Sequence, residues 1–157
     1  MDKIDSLNQV AEFHKTFNAP VLEKPTIPDF DRCNLRIALL QEELNELKDA
    51  IADNNLVEIA DALCDLQYVL SGAVLEFGLG EKFVKLFNEV QRSNMSKACA
   101  NQQEAAETIA FYKEKGEAAY AQNSGDKINV HRLSDHKVLK NLYYSPADLK
   151  TILKEEL

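Results

Sequence analysis

Tryptophan is absent from the 157 residues, so any stacking on a ring falls to phenylalanine or tyrosine. The three cysteines, Cys33, Cys64 and Cys99, are odd in number and follow no ligand spacing. They make no disulfide framework and read as free thiols of a reducing, cytoplasmic setting. The longest nearly apolar run, Leu66 to Leu75, is too short to span a bilayer. The N-terminal stretch MDKIDSLNQV lacks an apolar core, so no signal peptide is expected. Positive charge is scarce: 18 Lys and Arg stand against 26 Asp and Glu, a formal net charge of −8. A pI near 4.9 disfavours a nucleic-acid duplex or an anionic membrane as the main partner. No internal repeat or low-complexity tract is visible. What is present is ordinary for a soluble globular chain, 45% hydrophobic and 28% charged. The length fits one domain, residues 1–157, with a real core.

The acids are concentrated. Gln41 to Asp65 holds eight of them (Glu42, Glu43, Glu46, Asp49, Asp53, Glu58, Asp61, Asp65) against one base, Lys48. Glu43 and Glu46, then Glu58 and Asp61, stand at i,i+3 spacing, which puts each pair on one helix face. Asp53-Asn54-Asn55 between them reads as a turn. Two helices so joined are antiparallel neighbours, and the pairs can face each other. Gathered carboxylates repel and lose hydration, and bound cations remove both costs. Oxygen ligands without Cys or His point to Mg²⁺ or Mn²⁺. A solvated acidic helix face is the competing explanation. At 100° per residue, Arg36, Leu39, Glu43, Glu46 and Ala50 share one side of the first helix. Glu58, Asp61, Asp65, Val69 and Gly72 share one side of the next, opposite Leu56, Ile59, Leu63, Leu66, Leu70 and Phe77. Beyond Asp65 this helix is apolar almost all round, the pattern of a buried helix.

Taken in order, apolar spacing predicts a first helix from Asp2 to about Asn18, with His14 as a satisfied core histidine. Three prolines between Pro20 and Pro28 make an extended connector. The second helix is expected from Asp29 or Asp31 to Ala52, the third from Leu56 to Phe77. A fourth begins near Glu81 and a fifth covers Gln102 to Lys115. In Arg92 to Lys97, RSNMSK, the core pattern fades, and Asn94 and Lys97 can point the same way. A cation and an amide there suit a phosphate and a sugar or base edge; a fraying helix end with a dipole-favoured lysine is the alternative. Glu117 to Asp126 is expected as a loop. Ile128–Arg132 and Lys137–Lys140 are expected as a small hairpin. Lys127 to Lys140 carries Lys127, Arg132, Lys137 and Lys140 against Asp135 alone, either a phosphate clamp or a solvated edge. Ser145-Pro146 predicts the N-cap and first position of a short last helix. The fold class expected is all-α: a bundle of about five helices forms a core over 1–116. A small β-hairpin and a short terminal helix make an extension over 117–157.

Glu42-Glu-Leu-Asn-Glu46 followed, after eleven residues, by Glu58-Ile-Ala-Asp61 resembles the E-x-x-E … E-x-x-D signature of the all-α nucleoside triphosphate pyrophosphohydrolases. These include MazG-like enzymes, dimeric dUTPases and phosphoribosyl-ATP pyrophosphohydrolases. VAEFHKTFNAP, Leu35-Arg36 and RSNMSK resemble the phosphoribosyl-ATP pyrophosphohydrolase-like branch, and the resemblance covers roughly residues 1–100. It implies Mg²⁺ (Mn²⁺ is the substitute) held by Glu43, Glu46, Glu58 and Asp61, with Asp65 as a further or outer ligand. It implies attack of water on the α-phosphorus of a nucleoside triphosphate, giving monophosphate and pyrophosphate. Glu42 is the candidate general base, a role Glu46 can exchange with it. Arg36, Lys97, Arg132 and Lys137 would meet phosphate, and Asn94 sugar or base. Base stacking would use Phe17, Tyr68, Tyr143 or Tyr144. Family members assemble as homodimers or homotetramers. The base stays open among dUTP, dCTP, a damaged nucleotide and phosphoribosyl-ATP. A non-enzymatic helical module that binds metal or nucleotide is the competing class.

Overall fold

A three-residue turn sets the geometry of the N-terminal half. Asn54 takes a left-handed backbone, φ 52, which asparagine tolerates. The Asn55 side chain then caps the next helix by accepting from the N–H groups of Val57 and Glu58. The turn joins α2 (Phe30–Ala52) to α3 (Leu56–Glu76) as neighbours packed along their length. Asp29 caps α2, accepting from the Arg32 N–H at 2.9 Å. Helix α1 (Ser6–Thr16) packs on α3. The computed structural model describes residues 4–154, so the expected start of α1 at Asp2 lies outside the described residues.

The described chain divides after Phe83 into two compact units. In the first, residues 20–28 run back along the end of α3. The N–H of Leu22 bonds the Leu75 carbonyl, and that of Thr26 the Phe77 carbonyl, both at 3.0 Å. Gly78 ends α3 with φ 65, and a Cβ there would lie 1.9 Å from the Lys24 carbonyl oxygen. Only glycine fits that crossing. The buried side chains of α3 sit mainly at its C-terminal end, from Ser71 to Glu76, with Ala62 alone further back. Leu56, Val57, Leu63 and Leu70 stay exposed. Beyond Asp65, where a buried helix was expected, burial holds from Ser71 to Glu76, while Gln67, Tyr68 and Leu70 are exposed. The connector covers only the last turns of α3, and the early turns keep their apolar side chains in solvent.

The deepest feature of this unit is ionic. Glu76 is 1% exposed and receives two guanidiniums of α2, Arg32 and Arg36. Arg36 also approaches His14 Nε2 at 3.5 Å, while His14 Nδ1 donates to the Pro20 carbonyl at 2.8 Å. Gly72 makes room: a Cβ on it would lie 2.7 Å from Arg36 Nη1 and 3.0 Å from His14 Nε2. Thus His14 is the satisfied core histidine its place on the apolar stripe suggested.

The second unit starts in α4 (Phe83–Met95), entered through a 3₁₀ turn at Gly80–Lys82, and continues with α5 (Gln102–Glu114). A hairpin follows, β1 (Ala119–Ser124) with β2 (Lys127–Arg132), in register from Ala119↔Arg132 to Ser124↔Lys127. Gly125, at φ 60, takes the first position of its two-residue turn, where glycine suits the twist of a hairpin. The hairpin is therefore displaced from the expected one. The supposed loop 117–126 supplies β1, because Ser124-Gly125-Asp126 is a tighter turn than Leu133–His136. The Lys137–Lys140 stretch is no strand, although it touches the far side of β2 through a bridge, His131↔Val138. Cys99 bridges Ile128 on that same side. Cys99, Ala105, Ile128, Val130 and Leu139 form the core here, and all three cysteines are free thiols. The last helix, α6 (Leu149–Lys154), begins three residues later than expected. Asp148, not Ser145, caps it, through the Thr151 N–H at 3.1 Å and the Thr151 hydroxyl at 2.6 Å. Among the described residues there are six α-helices and one two-stranded sheet, so the fold class is the mostly helical one expected. The expected boundary at 116 falls inside the second unit. No single helix is long and apolar enough to cross a membrane among the described residues.

Burial alone would raise the Glu76 carboxyl, but Arg36 and Arg32 outweigh it and hold the group below its ordinary value. Its native form therefore binds fewer protons than the unfolded chain near pH 4. The stability it contributes is complete above the ordinary glutamate value of about 4.3 and fades as pH falls through the lower native value. Glu76→Gln should cost about 3–5 kcal/mol at neutral pH, because two buried guanidiniums lose their counter-charge. Urea unfolding at pH 7 and at pH 3 should show the variant nearing the wild type in acid. An equal gap at both pH values would contradict this.

Candidate active site

The α2–α3 pair places the acids by helix geometry alone. Its turn closes one end and the Glu76 clamp the other. Glu42, Glu43 and Glu46 on α2 and Glu58, Asp61 and Asp65 on α3 lie between. Glu43 and Asp65 are half-buried; Glu42, Glu46, Glu58 and Asp61 are exposed. Burial first, then the charges of Asp65, Glu46, Glu42 and Asp61 in that order, push the Glu43 carboxyl above its ordinary value. Two of those charges, Asp65 and Asp61, belong to the opposite helix, so Glu43 faces acids across the seam. Glu58, the remaining expected ligand, is not among the charges that act on Glu43.

The donor chemistry fits a hard divalent cation. Every oxygen is a carboxylate, with no thiolate or imidazole among the expected ligands. The carboxyl at the centre is one whose neighbours resist its ionisation, and a cation would relieve that. The side chains are nonetheless not drawn together. Among the described residues, no three His, Cys, Asp or Glu side chains converge closely enough to hold an ion in their present rotamers.

The expected substrate-binding residues fall in different places. Arg36, in the first unit with the acids, is 8% exposed and ion-paired with Glu76. Its Nε is buried with no partner among the described residues. In the second unit, Lys97 Nζ donates to Asn94 Oδ1 at 2.7 Å. Arg132 is shared by Glu117 at 2.7 Å and Asp135 at 3.0 Å, and Lys137 is exposed. The Arg132 charge is thus already balanced, which favours the solvated-edge explanation for that residue.

Sequence reasoning passed over Glu76 and Arg32. The signal was there: Glu76 is the one acid between Leu66 and Phe77, and Arg32 and Arg36 are one helical turn apart. Of the four rings considered for stacking, Phe17 and Tyr68 both pack on Phe13, with centroids 4.4 and 5.5 Å away. Tyr143 donates to Glu107, and Tyr144 lies under Lys140 and accepts from Ser93.

A family model described as phosphoribosyl-ATP pyrophosphohydrolase matches residues 10–94 of this chain. The matched span takes in most of α1, all of α2 and α3, and α4 up to Asn94; it stops short of Lys97 and the hairpin. A curated protein of Acanthamoeba polyphaga mimivirus, described as uncharacterized protein L479, is 38% identical over 82 residues. That alignment covers 50% of this chain and 33% of the viral protein, so the likeness spans about a third of the relative's length.

A cation bound among these acids should be visible as stability. A carboxyl with a raised native value opposes folding once pH passes that value, so the cost is present at neutral pH and absent in acid. Saturating Mg²⁺ should therefore raise the thermal midpoint at pH 7 by several degrees and leave it unchanged near pH 4. Asp65→Asn should shrink that rise while lifting the midpoint of the metal-free protein. A Mg²⁺ effect equal at both pH values would place the ion elsewhere.

Proposed function

Because this chain belongs to the phosphoribosyl-ATP pyrophosphohydrolase family, a MazG-like all-α group of pyrophosphohydrolases typically dependent on Mg²⁺, we propose a specific reaction for it. It hydrolyses a nucleoside or deoxynucleoside triphosphate at the α-phosphorus, releasing monophosphate and pyrophosphate. The observation that carries this reading is the carboxylate cluster around Glu43, contributed by both α2 and α3. An acidic site repels a polyphosphate unless cations stand between them. Phosphoryl transfer depends on that neutralisation and on in-line positioning more than on covalent chemistry.

In this reading Glu43, Glu46, Glu58 and Asp61 hold Mg²⁺, with Asp65 beside them. The metal, when bound, supplies charge neutralisation and an activated water. Glu42 would act as the general base for the attacking water, a role Glu46 could exchange with it. Lys97 meets a phosphate as a point charge, and Asn94 a sugar or base edge. Arg36, held by Glu76, keeps α2 in place behind the acids. Lys137, exposed just past the hairpin, would meet phosphate, Arg132 being balanced by two carboxylates. The exposed apolar side chains of the α2–α3 pair, among them Ile37, Leu44, Ile51, Leu63 and Leu70, favour a homodimer or homotetramer in which a second copy covers them. A reducing, cytoplasmic setting suits the three free thiols.

The experiment is a panel of nucleoside triphosphates, phosphoribosyl-ATP included, with pyrophosphate release followed with and without Mg²⁺. In ¹⁸O-labelled water the label should appear in the monophosphate. Glu46→Ala should abolish turnover, and Lys97→Ala should lower kcat/KM by at least about thirtyfold if its phosphate contact is desolvated. Release of orthophosphate, or label in pyrophosphate, would mean attack at another phosphorus. Leu63→Lys, tested by sedimentation, should weaken self-association; a wild type that sediments as a monomer would sink the oligomer reading.

A further inference from the structure

Residues 92–97 divide their polar side chains between two tasks. Arg92, Ser93 and Ser96 turn towards the segment 141–148. Arg92 Nη2 donates to the carbonyls of Ser145 at 3.4 Å and Pro146 at 3.0 Å, while Glu89 grips the same guanidinium at 2.8 Å. Glu89 in turn accepts the Asp148 N–H at 2.9 Å. Ser96 Oγ accepts the Ser145 N–H at 3.0 Å and lies 3.3 Å from its carbonyl. Ser93 Oγ donates to the Tyr144 hydroxyl at 3.1 Å. On the other side, the Asn141 N–H bonds the Lys97 carbonyl at 3.1 Å, and its amide bonds the Ala98 carbonyl at 3.2 Å. Asn94 and Lys97 are the two left to bond each other.

The segment 141–148 is thus bonded both before and after the Asn94–Lys97 pair in the chain. Those two residues stand at and just past the end of α4, where a helix ordinarily frays. A lysine side chain gives up much of its rotamer freedom when held. A ligand that met a frayed pair would bear that loss on binding, whereas a pair already held does not. We propose that the strap 141–148 positions the Asn94–Lys97 pair for a phosphate group of the substrate, with Arg92, Ser96 and Tyr144 as its anchoring residues. This rests on Lys97 being a phosphate contact. It gives the C-terminal segment, which the family match does not reach, a part in substrate binding.

The test is a double-mutant cycle on the full chain, with Mg²⁺ and inorganic triphosphate as the probe, read by calorimetry. Arg92→Lys keeps the charge but loses the fork; Tyr144→Phe removes one anchor without changing shape. Each should weaken triphosphate binding about five- to tenfold in the wild-type background and have little effect beside Lys97→Ala. Thermal midpoints of the strap variants should stay within a few degrees of wild type. Additive losses in the Lys97→Ala background, or unaltered binding in both strap variants, would overturn the strap and leave the hydrolase reading standing. Unaltered binding in Lys97→Ala itself, with nucleotide hydrolysis intact, removes both Lys97 and the strap. A wild type that neither binds triphosphate nor hydrolyses any nucleotide overturns the hydrolase reading and the strap with it.

Discussion

One buried carboxylate holds the N-terminal unit in order. Glu76 sits in the apolar end of α3, where a lone charge would be untenable, and two guanidiniums from α2 make it tenable. Replacing such a cluster with packed hydrophobes can be neutral, but removing one member leaves the others uncompensated. The clamp therefore dictates the register of α2 on α3 more than it adds net stability. His14 and Gly72 extend it to α1, one by lying against Arg36 and the other by leaving space for both. With the clamp at one end and the Asn54–Asn55 turn at the other, the acids between have no freedom to slide past each other.

That register has a cost the acids make visible. A carboxyl half-buried among four others is pushed away from its charged form. Nothing in packing requires the arrangement, since Glu46 and Asp61 are exposed and could be any polar residue. A site that is unfavourable alone and favourable around a cation is the pattern expected where function, not stability, chose the residues. The exposed apolar early turns of α3 beside them mark the same region as one the single chain leaves unfinished.

The second unit follows a different logic. Its core is small, built on β2, and β2 is bonded on both edges, by β1 and by Cys99 with Val138. Thr108 and Asn141 lie buried beside that core and satisfy each other at 3.3 Å. The chain past β2 then returns to α4 and ties itself to the segment that sequence reading had set aside for phosphate. Polar residues where an apolar pattern fades have two uses, ligand and neighbour, and here the segment divides between them.

Helix positions were legible in the sequence because they follow from local periodicity and local caps. The turn at Asp53–Asn55 and the helices around it depend on residues within a few turns of one another. The E-x-x-E … E-x-x-D spacing carried the family for the same reason. The sequence could not show which partner each charge takes. The carboxylate that pairs with Arg36 lies forty positions away and is met only when α3 folds back. The hairpin moved because Gly125 and the two edges of β2 outweigh a run of β-formers at Lys137–Lys140. Beyond Asp65 the apolar pattern of α3 meets burial only from Ser71 to Glu76, because periodicity reports which face is apolar, not whether anything covers it. Local steric and hydrogen-bonding rules determine elements; the pairing of distant charges and the covering of apolar faces are decided only when the chain closes on itself.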